Sequence, residues 1–429
     1  MLLSTNMNTL FSADLTAHLP LLLIGGVCAF LLSYLLTFAV IGISRKAGWL
    51  DRPSVERRRI HKVPVPRLGG VAIFLAFVIA SLVFYTTDHD VLPDEMVRYF
   101  LLLAASLLIV IVHSYDDVKG LKPLTKLVVQ TIAVIVILGP WGTRFNGVLL
   151  YGFSNPFGIP GHHLDLPWYR QPEISLFIHT PDITLLAIPA VLFTWFWIVG
   201  MMNTVNFIDG IDGLATGVVG LVGLFITIIS CTLQQYSIAT LAVIFTGAVL
   251  GFLPHNWNPA KIFMGDSGSQ FLGLGLAVLS IIGGAKVALA LMILGIPILD
   301  IAMVIFMRVR RGYSPAHYDT TSHLHYRLLA AGLNAKQICY LFYGLTLLFG
   351  VLALRFERIY KLAGIGLVIL TMAAIILWID HRQHQQGAPL KLEDDPDQGP
   401  GQDSPVTGDV EPEEQGPDAH PENVHESAR

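Results

Sequence analysis

The chain has little charge for its length and almost no cysteine. Only 14% of its 429 residues are Asp, Glu, Lys or Arg, whereas 53% are hydrophobic. The three cysteines, Cys28, Cys231 and Cys339, lie far apart in apolar segments and form no CxxC or Cys/His pattern. No disulfide framework or cysteine zinc site follows from them. So much apolar sequence with so little charge excludes an ordinary soluble domain and indicates a polytopic membrane protein.

Lysine and arginine are absent from residues 1–44. Because a cleaved signal peptide begins with positive charge, we interpret the first apolar segment as a retained anchor, with the N-terminus outside. Taking about 17–25 apolar residues for one crossing, we predict an all-α protein with eleven transmembrane helices. The predicted spans are residues 20–43, 69–86, 98–114, 124–139, 183–201, 213–233, 236–254, 268–284, 287–306, 337–354 and 361–379.

The basic residues are distributed unequally between the two sides of this topology. Four connections, residues 44–68, 115–126, 255–267 and 307–336, hold 17 of the 27 lysines and arginines. The positive-inside rule therefore predicts that these connections are cytoplasmic.

The end of the chain differs in composition from everything before it. Residues 384–429 are rich in Asp, Glu, Pro, Gly and Gln and show no periodicity. This composition predicts a disordered acidic cytoplasmic tail, which follows a multi-spanning domain of residues 1–383.

The unusual polar clusters all fall on the predicted cytoplasmic side. Asp116 and Asp117 close the third span, and such an acidic pair suits a divalent metal or a proton-accepting role. A solvated helix end beside three lysines explains the pair equally well.

A second cluster recurs every three residues, at Asn203, Asn206, Asp209 and Asp212. On a helix this spacing would place the amides and carboxylates roughly along one face. Hard oxygen ligands of this kind suit Mg²⁺. A helix C-cap followed by a new N-cap is the alternative.

The remaining clusters are each open to two interpretations. Asp266 could cap the helix that begins beside it or belong to an anion site there, and Phe263 could stack on a base. The basic loop before Gly69 suits lipid headgroups and phosphate equally. His323 and His325 could bind metal or phosphate or simply be solvated. Asp300 is expected to pair with Arg308 or Arg310.

Taken in order, these segments resemble the polyprenyl-phosphate N-acetylhexosamine-1-phosphate transferases, the WecA/MraY family. The shared motifs are Pro64-Val-Pro-Arg-Leu-Gly-Gly70, Asp116-Asp117, NxxNxxDGxDGLA from Asn203, NPAxxFMGDxGS from Asn258, and an HxH loop. The acidic pair and the HxH loop are weak signals by themselves, whereas the two long motifs together are highly specific.

The resemblance implies a multi-helix enzyme of the bacterial inner membrane whose active site faces the cytoplasm. Such an enzyme transfers a sugar-1-phosphate from a UDP-sugar to undecaprenyl phosphate, releases UMP, uses Mg²⁺ or Mn²⁺, and starts a cell-envelope polysaccharide. The implied donor is UDP-GlcNAc or a related UDP-HexNAc, and direct attack by the lipid phosphate is expected. The resemblance further implies that the enzyme lies in the lipid bilayer and has no nucleic-acid partner, and it is compatible with a homodimer.

The resemblance also implies a role for individual residues. The metal ligands would be Asp266 and Asn206. The catalytic carboxylates would be Asp116, Asp117 and Asp209, with the adjacent pair orienting or deprotonating the lipid phosphate. The residues facing the nucleotide would be Asp212, Phe263, Asn256 and Lys62. The residues reaching phosphate or sugar would be Lys126, His323 and His325.

The loop Pro315–Tyr326 is similar to that of the WecA-type branch rather than to the triple-His run of the MurNAc-pentapeptide transferases. This similarity favours GlcNAc. Thr321 and Tyr326 depart from the branch pattern, in which Arg and His are expected, so the sugar is specified less sharply than the reaction.

Two other classes of function fit the sequence less well. A transporter would place its acidic groups near mid-bilayer and often has repeated halves, whereas these clusters lie at span ends and no internal repeat is visible. A non-catalytic scaffold would have lost the acidic residues of the motifs, and all of them are present.

Overall fold

The computed structural model describes residues 13–51, 64–150, 153–154, 173–174, 183, 187–282, 287–310, 323–355 and 358–385. These residues are mostly helical, because a helix satisfies its own backbone hydrogen bonds and can therefore lie in lipid. In chain order the helices are α1 Ala13–Ala47, α2 Gly69–Phe84, α3 Pro93–Lys119, α4 Pro123–Leu138, α5 Ile188–Ile208, α6 Leu214–Thr232, α7 Tyr236–Asn256, α8 Gly265–Ile281, α9 Val287–Ile293, α10 Gly295–Arg310, α11 Leu324–Ala330, α12 Ala335–Arg355 and α13 Arg358–Gln385.

The described strands form three antiparallel ribbons, each with two residues per strand. They are β1 Leu50–Asp51 with β2 Val65–Pro66, β3 Pro140–Trp141 with β4 Arg144–Phe145, and β5 Phe153–Ser154 with β6 Glu173–Ile174. In the first ribbon Leu50 is opposite Pro66. This ribbon ties the end of α1 to the segment that leads into α2.

The all-α polytopic class is confirmed, but the count of eleven crossings is not. Among the described residues seven helices are long and apolar enough to cross a membrane, or eight if α9 and α10 form one broken span. Every predicted span overlaps a helix. However, α2 and α4 have only 16 residues each and α8 has 17, so the number of crossings stays a prediction.

The predicted span at residues 287–306 is not one continuous helix. Helix α9 ends at Ile293, α10 begins at Gly295, and the two axes differ by 75°. Pro297 has no N–H to donate to the carbonyl of Ile293, and proline and glycine are the usual causes of such bends. The apolar length that predicted this span does not register a missing backbone donor, so it did not reveal the bend.

Helix α8 lies at the centre of the bundle. It packs against α2, α3 and α5, and every one of its residues except Asp266 is buried. A helix that is buried all round belongs to the interior of a large helical protein. By contrast, α1, α3, α5, α12 and α13 expose many large apolar side chains, as helices that face lipid do. Asp266 is therefore the one residue of α8 whose side chain is partly accessible from outside the bundle.

The start of α2 touches the start of α8 through the backbone. The Gly70 N–H donates to the Met264 carbonyl at 2.9 Å, and the Phe263 N–H donates to the Pro66 carbonyl at 2.8 Å. A Cβ added to Gly70 would collide with the backbone of Gly268. The Pro64–Gly70 motif thus supplies a backbone surface against which the first turn of α8 is held.

The chain divides into two units, Met1–Arg382 and Gln383–Arg429. Apart from the end of α13, the second unit lies outside the described residues. The acidic tail that we expect from residue 384, and its boundary, therefore stay predictions.

Candidate active site

Charged side chains from three helices meet around one lysine. Lys126 Nζ lies 2.6 Å from Asp116 Oδ2 and 2.5 Å from Asp266 Oδ2. Asp116 is in the last turn of α3, Lys126 is in the first turn of α4, and Asp266 is in the first turn of α8. Pro123 starts α4 after a short link, because its fixed φ suits the first turn of a helix. Residues 140 positions apart in the sequence thus form one ionic cluster.

Asp117 binds the N-terminus of α8. Its carboxylate accepts hydrogen bonds from the N–H of Asp266 at 2.7 Å, the N–H of Ser267 at 3.1 Å and the Ser267 hydroxyl at 2.7 Å. Gly265 has φ +74°, and a Cβ there would press on the Asp117 carboxylate. Free N–H groups and the helix dipole stabilise a carboxylate in this place. These contacts position α8, and the predicted catalytic role of Asp117 stays a prediction.

The two residues predicted as metal ligands are neighbours. Asn206, near the end of α5, donates to Asp266 Oδ1 at 3.2 Å and to the Ser269 hydroxyl at 2.8 Å. Within the described residues no group of three or more His, Cys, Asp or Glu is arranged to hold a metal. Mg²⁺, however, needs only one or two carboxylates and takes its other ligands from water and phosphate. The side chain of Asp266 is 22% exposed, so Asp266 with Asn206 fits such an ion.

The motif from Asn203 to Asp212 does not form one helical face. Helix α5 ends at Ile208, so only Asn203 and Asn206 are helical, while Asp209 and Asp212 lie in the turn before α6. Gly213 closes this turn with φ +82°, a conformation that suits glycine. The alternative of a helix C-cap agrees with this part of the structure, because Asp209 is the C-cap of α5 and the turn separates the carboxylates from the amides.

Asp209 follows the last residue of α5, and neighbouring carboxylates affect its pKa. Its burial, together with the charges of Asp266 and Asp117, raises the pKa of Asp209 well above its usual range, and Arg67 acts in the opposite direction. A carboxylate with a raised pKa is a better proton acceptor. This environment favours the predicted catalytic role without testing it.

Asp212 faces the connection between α7 and α8. Its Oδ2 accepts hydrogen bonds from Asn258 Nδ2 at 2.9 Å and from the Ala260 N–H at 3.0 Å. Phe263, in the same connection, is partly buried. Lys62 lies outside the described residues. The structure therefore brings Asp212 and Phe263 to one connection, and their nucleotide-binding role stays a prediction.

Asn256 is buried at the end of α7, where its side-chain amide bonds to three groups of neighbouring segments. The Oδ1 atom accepts from the Gly213 N–H at 3.1 Å and the Thr216 hydroxyl at 2.7 Å, while Nδ2 donates to the Ile262 carbonyl at 3.1 Å. Asn256 thus holds the α7–α8 connection against the start of α6. Its contacts are those of a residue that shapes the predicted nucleotide side.

The two histidines of the HxH loop lie near the turn after α5. His323 Nδ1 is 3.1 Å from Asp300 Oδ2, and the His323 ring stacks on Phe207 with centroids 5.0 Å apart. His325 is buried, and a Cβ on Gly210 would collide with its Nε2. Burial, and to a smaller extent His323, lowers the pKa of His325 to about 3. His325 is therefore neutral at physiological pH.

Asp300 was expected beside Arg308 or Arg310. In the structure it lies against His323, and its Oδ1 accepts the Leu324 N–H at 2.9 Å. Asp300 thereby fixes the first turn of α11 and the orientation of the HxH pair.

Sequence reasoning missed two glutamines beneath the ionic cluster. Gln130 Nε2 donates to Gln270 Oε1 at 2.9 Å, and both side chains are buried. The available signal was an amide in an otherwise apolar span, one turn beyond Lys126 or Asp266.

The part of the chain that carries this site matches a known protein family. The family described as Glycosyl transferase family 4 matches residues 99–284. A Bacillus subtilis protein described as a probable undecaprenyl-phosphate N-acetylglucosaminyl 1-phosphate transferase is 30% identical over 366 residues, covering 82% of this chain and 90% of that protein. The chain belongs to glycosyl transferase family 4. The resemblance inferred from the motifs is confirmed.

Other relatives of this family 4 chain carry related descriptions. Decaprenyl-phosphate N-acetylglucosaminephosphotransferase of Mycobacterium tuberculosis is 31% identical over 346 residues, covering 74% of this chain and 78% of that protein. Phospho-N-acetylmuramoyl-pentapeptide-transferase of Bacillus subtilis is 28% identical over 337 residues, covering 76% and 95%. This family 4 member is thus a multi-pass membrane enzyme of a phospho-sugar transferase family.

Proposed function

We propose that this enzyme transfers N-acetylglucosamine-1-phosphate from UDP-N-acetylglucosamine to undecaprenyl phosphate and releases UMP. The same reaction with another UDP-N-acetylhexosamine is the alternative. The observation that carries the proposal is the convergence of Asp116, Lys126, Asn206 and Asp266 at one point. The name of the Bacillus subtilis relative, which aligns over nine-tenths of its length, supports the choice of transferred group and acceptor.

The proposed reaction is a direct displacement at phosphorus. An oxygen of the lipid phosphate attacks the phosphorus that carries the sugar, and a new P–O bond forms between them. The bond from that phosphorus to the oxygen bridging to UMP breaks, and UMP leaves with the bridging oxygen. A proton on the attacking phosphate passes to a carboxylate. The raised pKa of Asp209 suits this acceptor role, and the Asp116/Asp117 pair orients the lipid phosphate.

Lys126 provides the positive charge that this chemistry needs. Two carboxylates hold its ammonium group in place, so the charge is oriented before substrate binds. Phosphoryl transfer depends largely on such positioning and on electrostatic stabilisation of the phosphate oxygens. Lys126 therefore faces the donor diphosphate, with His323 and His325 near its phosphate or sugar.

We infer that Asp266 and Asn206 hold Mg²⁺ or Mn²⁺. The charges of Asp266 and Asp117 raise the pKa of Asp209, so these three carboxylates repel one another and a cation at Asp266 would offset the repulsion. When bound there, the ion would polarise and neutralise the donor phosphates.

The site lies at one end of the helices, which we assign to the cytoplasmic face of a bacterial inner membrane. It is built from the ends of α3, α5 and α7 and from the starts of α4 and α8, as expected where alternating helices return to one membrane face. The loops on this side are the basic ones, which supports the orientation. The exposed apolar faces of the bundle would admit the lipid acceptor from the bilayer. The product would start a cell-envelope polysaccharide.

The decisive experiment measures UMP release by the full chain in detergent or nanodiscs. The assay contains undecaprenyl phosphate, Mg²⁺ or Mn²⁺, and one donor from a panel of UDP-GlcNAc, UDP-GalNAc and UDP-MurNAc-pentapeptide. We expect release that requires both lipid phosphate and metal, with kcat/KM highest for UDP-GlcNAc. No UMP from any of these donors would refute the proposed reaction. Preference for another donor would keep the reaction and replace the sugar.

A further inference from the structure

Three amides lie one helical turn beyond the polar groups of the site, two of them buried and one partly buried. They are Gln130 on α4, Asn203 on α5 and Gln270 on α8. Each is three or four positions along its own helix from Lys126, Asn206 and Asp266, respectively. Residues at this spacing share a helix face and are separated by about 4.5–6 Å along the axis. The amides therefore form a second layer beneath the layer of site residues.

The three amides bond to one another across the three helices. Gln130 Nε2 donates to Gln270 Oε1 at 2.9 Å and to Asn203 Oδ1 at 3.4 Å. Asn203 Nδ2 donates in return to Gln130 Oε1 at 3.2 Å, and also to the Val199 carbonyl at 2.8 Å. Gln130 is at the centre of this layer, because it contacts both of the other helices.

Packing alone does not account for amides at these positions. Gln130 is 2% exposed and Gln270 is 1% exposed, and a buried amide is costly unless its hydrogen bonds are satisfied. An apolar side chain of similar length would fill the same space without that requirement. Satisfied buried polar networks make one arrangement of helices unique, which is what a site shared between three helices requires.

We propose that Gln130, Asn203 and Gln270 are positioning residues that hold α4, α5 and α8 in register beneath the ionic cluster. The inference rests on the proposed transferase function and adds residues to it. With the register held, Lys126 stays between its two carboxylates and Asn206 stays against Asp266. Because the amides are neutral, they set this geometry without adding charge next to the donor phosphates. A displacement of about 1 Å in such a site can cost about a hundredfold in rate.

The test compares Gln130→Met, Gln270→Met and the double variant with wild type. Met has a similar length and forms no comparable hydrogen bonds. Removing both partners of a buried pair can be nearly neutral for stability, and the partly buried Asn203 keeps its bond to the Val199 carbonyl. We expect kcat for UMP release to fall about 10- to 100-fold in the double variant, with the donor KM within about twofold. We expect its thermal midpoint to change by no more than a few degrees. A purely structural role would lower the midpoint and leave kcat per folded enzyme unchanged.

A matched control removes a hydrogen bond between the same two helices, far from the site. Trp197 Nε1 on α5 donates to the Ser280 hydroxyl on α8 at 3.0 Å, and Ser280 is fully buried. Ser280→Ala should cost some stability and leave kcat unchanged. If Ser280→Ala lowered kcat as much as the double variant does, the amides would have no special role and the proposal would fail.

A rescue experiment addresses the register directly. The exchange Gln130→Asn with Asn203→Gln keeps the amide count and the total side-chain volume while moving one methylene between helices. We expect Gln130→Asn alone to have a lower kcat for UMP release than wild type. The exchange should restore at least a third of the lost activity. Wild-type kcat in both Gln130→Asn and the double Met variant would overturn the positioning proposal, whereas an inactive wild type would instead refute the transferase function.

Discussion

Polar side chains gather at both ends of the helix bundle, and the two gatherings are built differently. At the site end, Lys126 lies between Asp116 and Asp266. At the other end, His18 near the start of α1 pairs with Asp90 at 2.5 Å and stacks on Tyr236 with ring centroids 4.2 Å apart. Both clusters join distant parts of the chain, so convergence by itself does not mark a functional site.

Charge balance and backbone contact distinguish the two ends. At the His18 end the histidine pairs directly with Asp90, whose side chain is 49% exposed, and Asp88 acts on it from farther away. At the site end Asp116 and Asp266 share Lys126, the charges of Asp117 and Asp266 act on Asp209, and glycines bring the starts of α2 and α8 into backbone contact. The outer pair, His18 with Asp90, therefore joins helices at a surface. The cluster around Lys126 instead has negative charge that a bound ligand could offset.

The largest expected effect is on catalysis by Asp266→Asn. This change keeps the side-chain size but removes the carboxylate that contacts Lys126 and that we assign to the metal. We expect kcat for UMP release to fall about 10²–10³-fold, the magnitude typical of losing one group that stabilises transition-state charge. The matched control is Asp90→Asn, which should leave kcat unchanged. Retention of more than a tenth of wild-type kcat by Asp266→Asn would contradict the metal assignment.

The next effect is on stability, at the contact between α2 and α8. In Gly70→Ala the new Cβ would meet the backbone of Gly268, and we expect a loss of about 1–3 kcal/mol in the free energy of unfolding. Gly42→Ala is the control, since a Cβ there meets nothing within 4 Å. Thermal or denaturant unfolding in detergent would measure both, and equal stabilities would show that the contact tolerates a side chain.

A smaller effect concerns acid stability through His325. Because its pKa falls from 6.5 to about 3 on folding, the unfolded chain takes up this proton first as the pH falls. The stability that comes from neutral His325 is complete above pH 6.5 and is lost progressively between pH 6.5 and 3. We expect His325→Gln to lose less of its thermal midpoint between pH 7.5 and 5 than wild type does. Identical pH profiles would contradict this assignment.

The smallest effect is expected at the outer pair. His18→Phe keeps a ring to stack on Tyr236 but removes the ion pair with Asp90. Partly exposed pairs contribute about 0–1 kcal/mol, so the thermal midpoint should shift by a few degrees at most and UMP release should not change. A tenfold loss of activity would show that the two ends are coupled, and the contrast between them would no longer hold.

The class of fold and the family could both be predicted from the sequence. Apolar segments longer than about 17 residues must be helical in lipid, and each predicted span overlaps a helix. The two long motifs identified the family. The bend before Pro297 was not predicted, and the end of α5 at Ile208 was considered only as the alternative of a helix C-cap within the Asn203 motif, because hydropathy and regular spacing do not record where backbone hydrogen bonds stop.

Within the site, the sequence identified the acidic residues but not their partners. Asp116 and Asp117 are adjacent in the chain, yet Asp116 contacts Lys126 while Asp117 binds the N-terminus of α8. Gln130 and Gln270 went unnoticed, because a single amide in an apolar span has no recognisable spacing. Such differences depend on which way each side chain faces in the packed bundle.

By itself the sequence determined that the charged groups lie at span ends and mostly on one side, because a charge in the middle of the bilayer is costly. Only the tertiary structure decided that Lys126 lies between two carboxylates and that three amides underlie the site. Those pairings join residues as many as 140 positions apart. They depend on how closely α2, α3, α4, α5 and α8 pack, which glycine contacts and satisfied buried hydrogen bonds establish only in the folded protein.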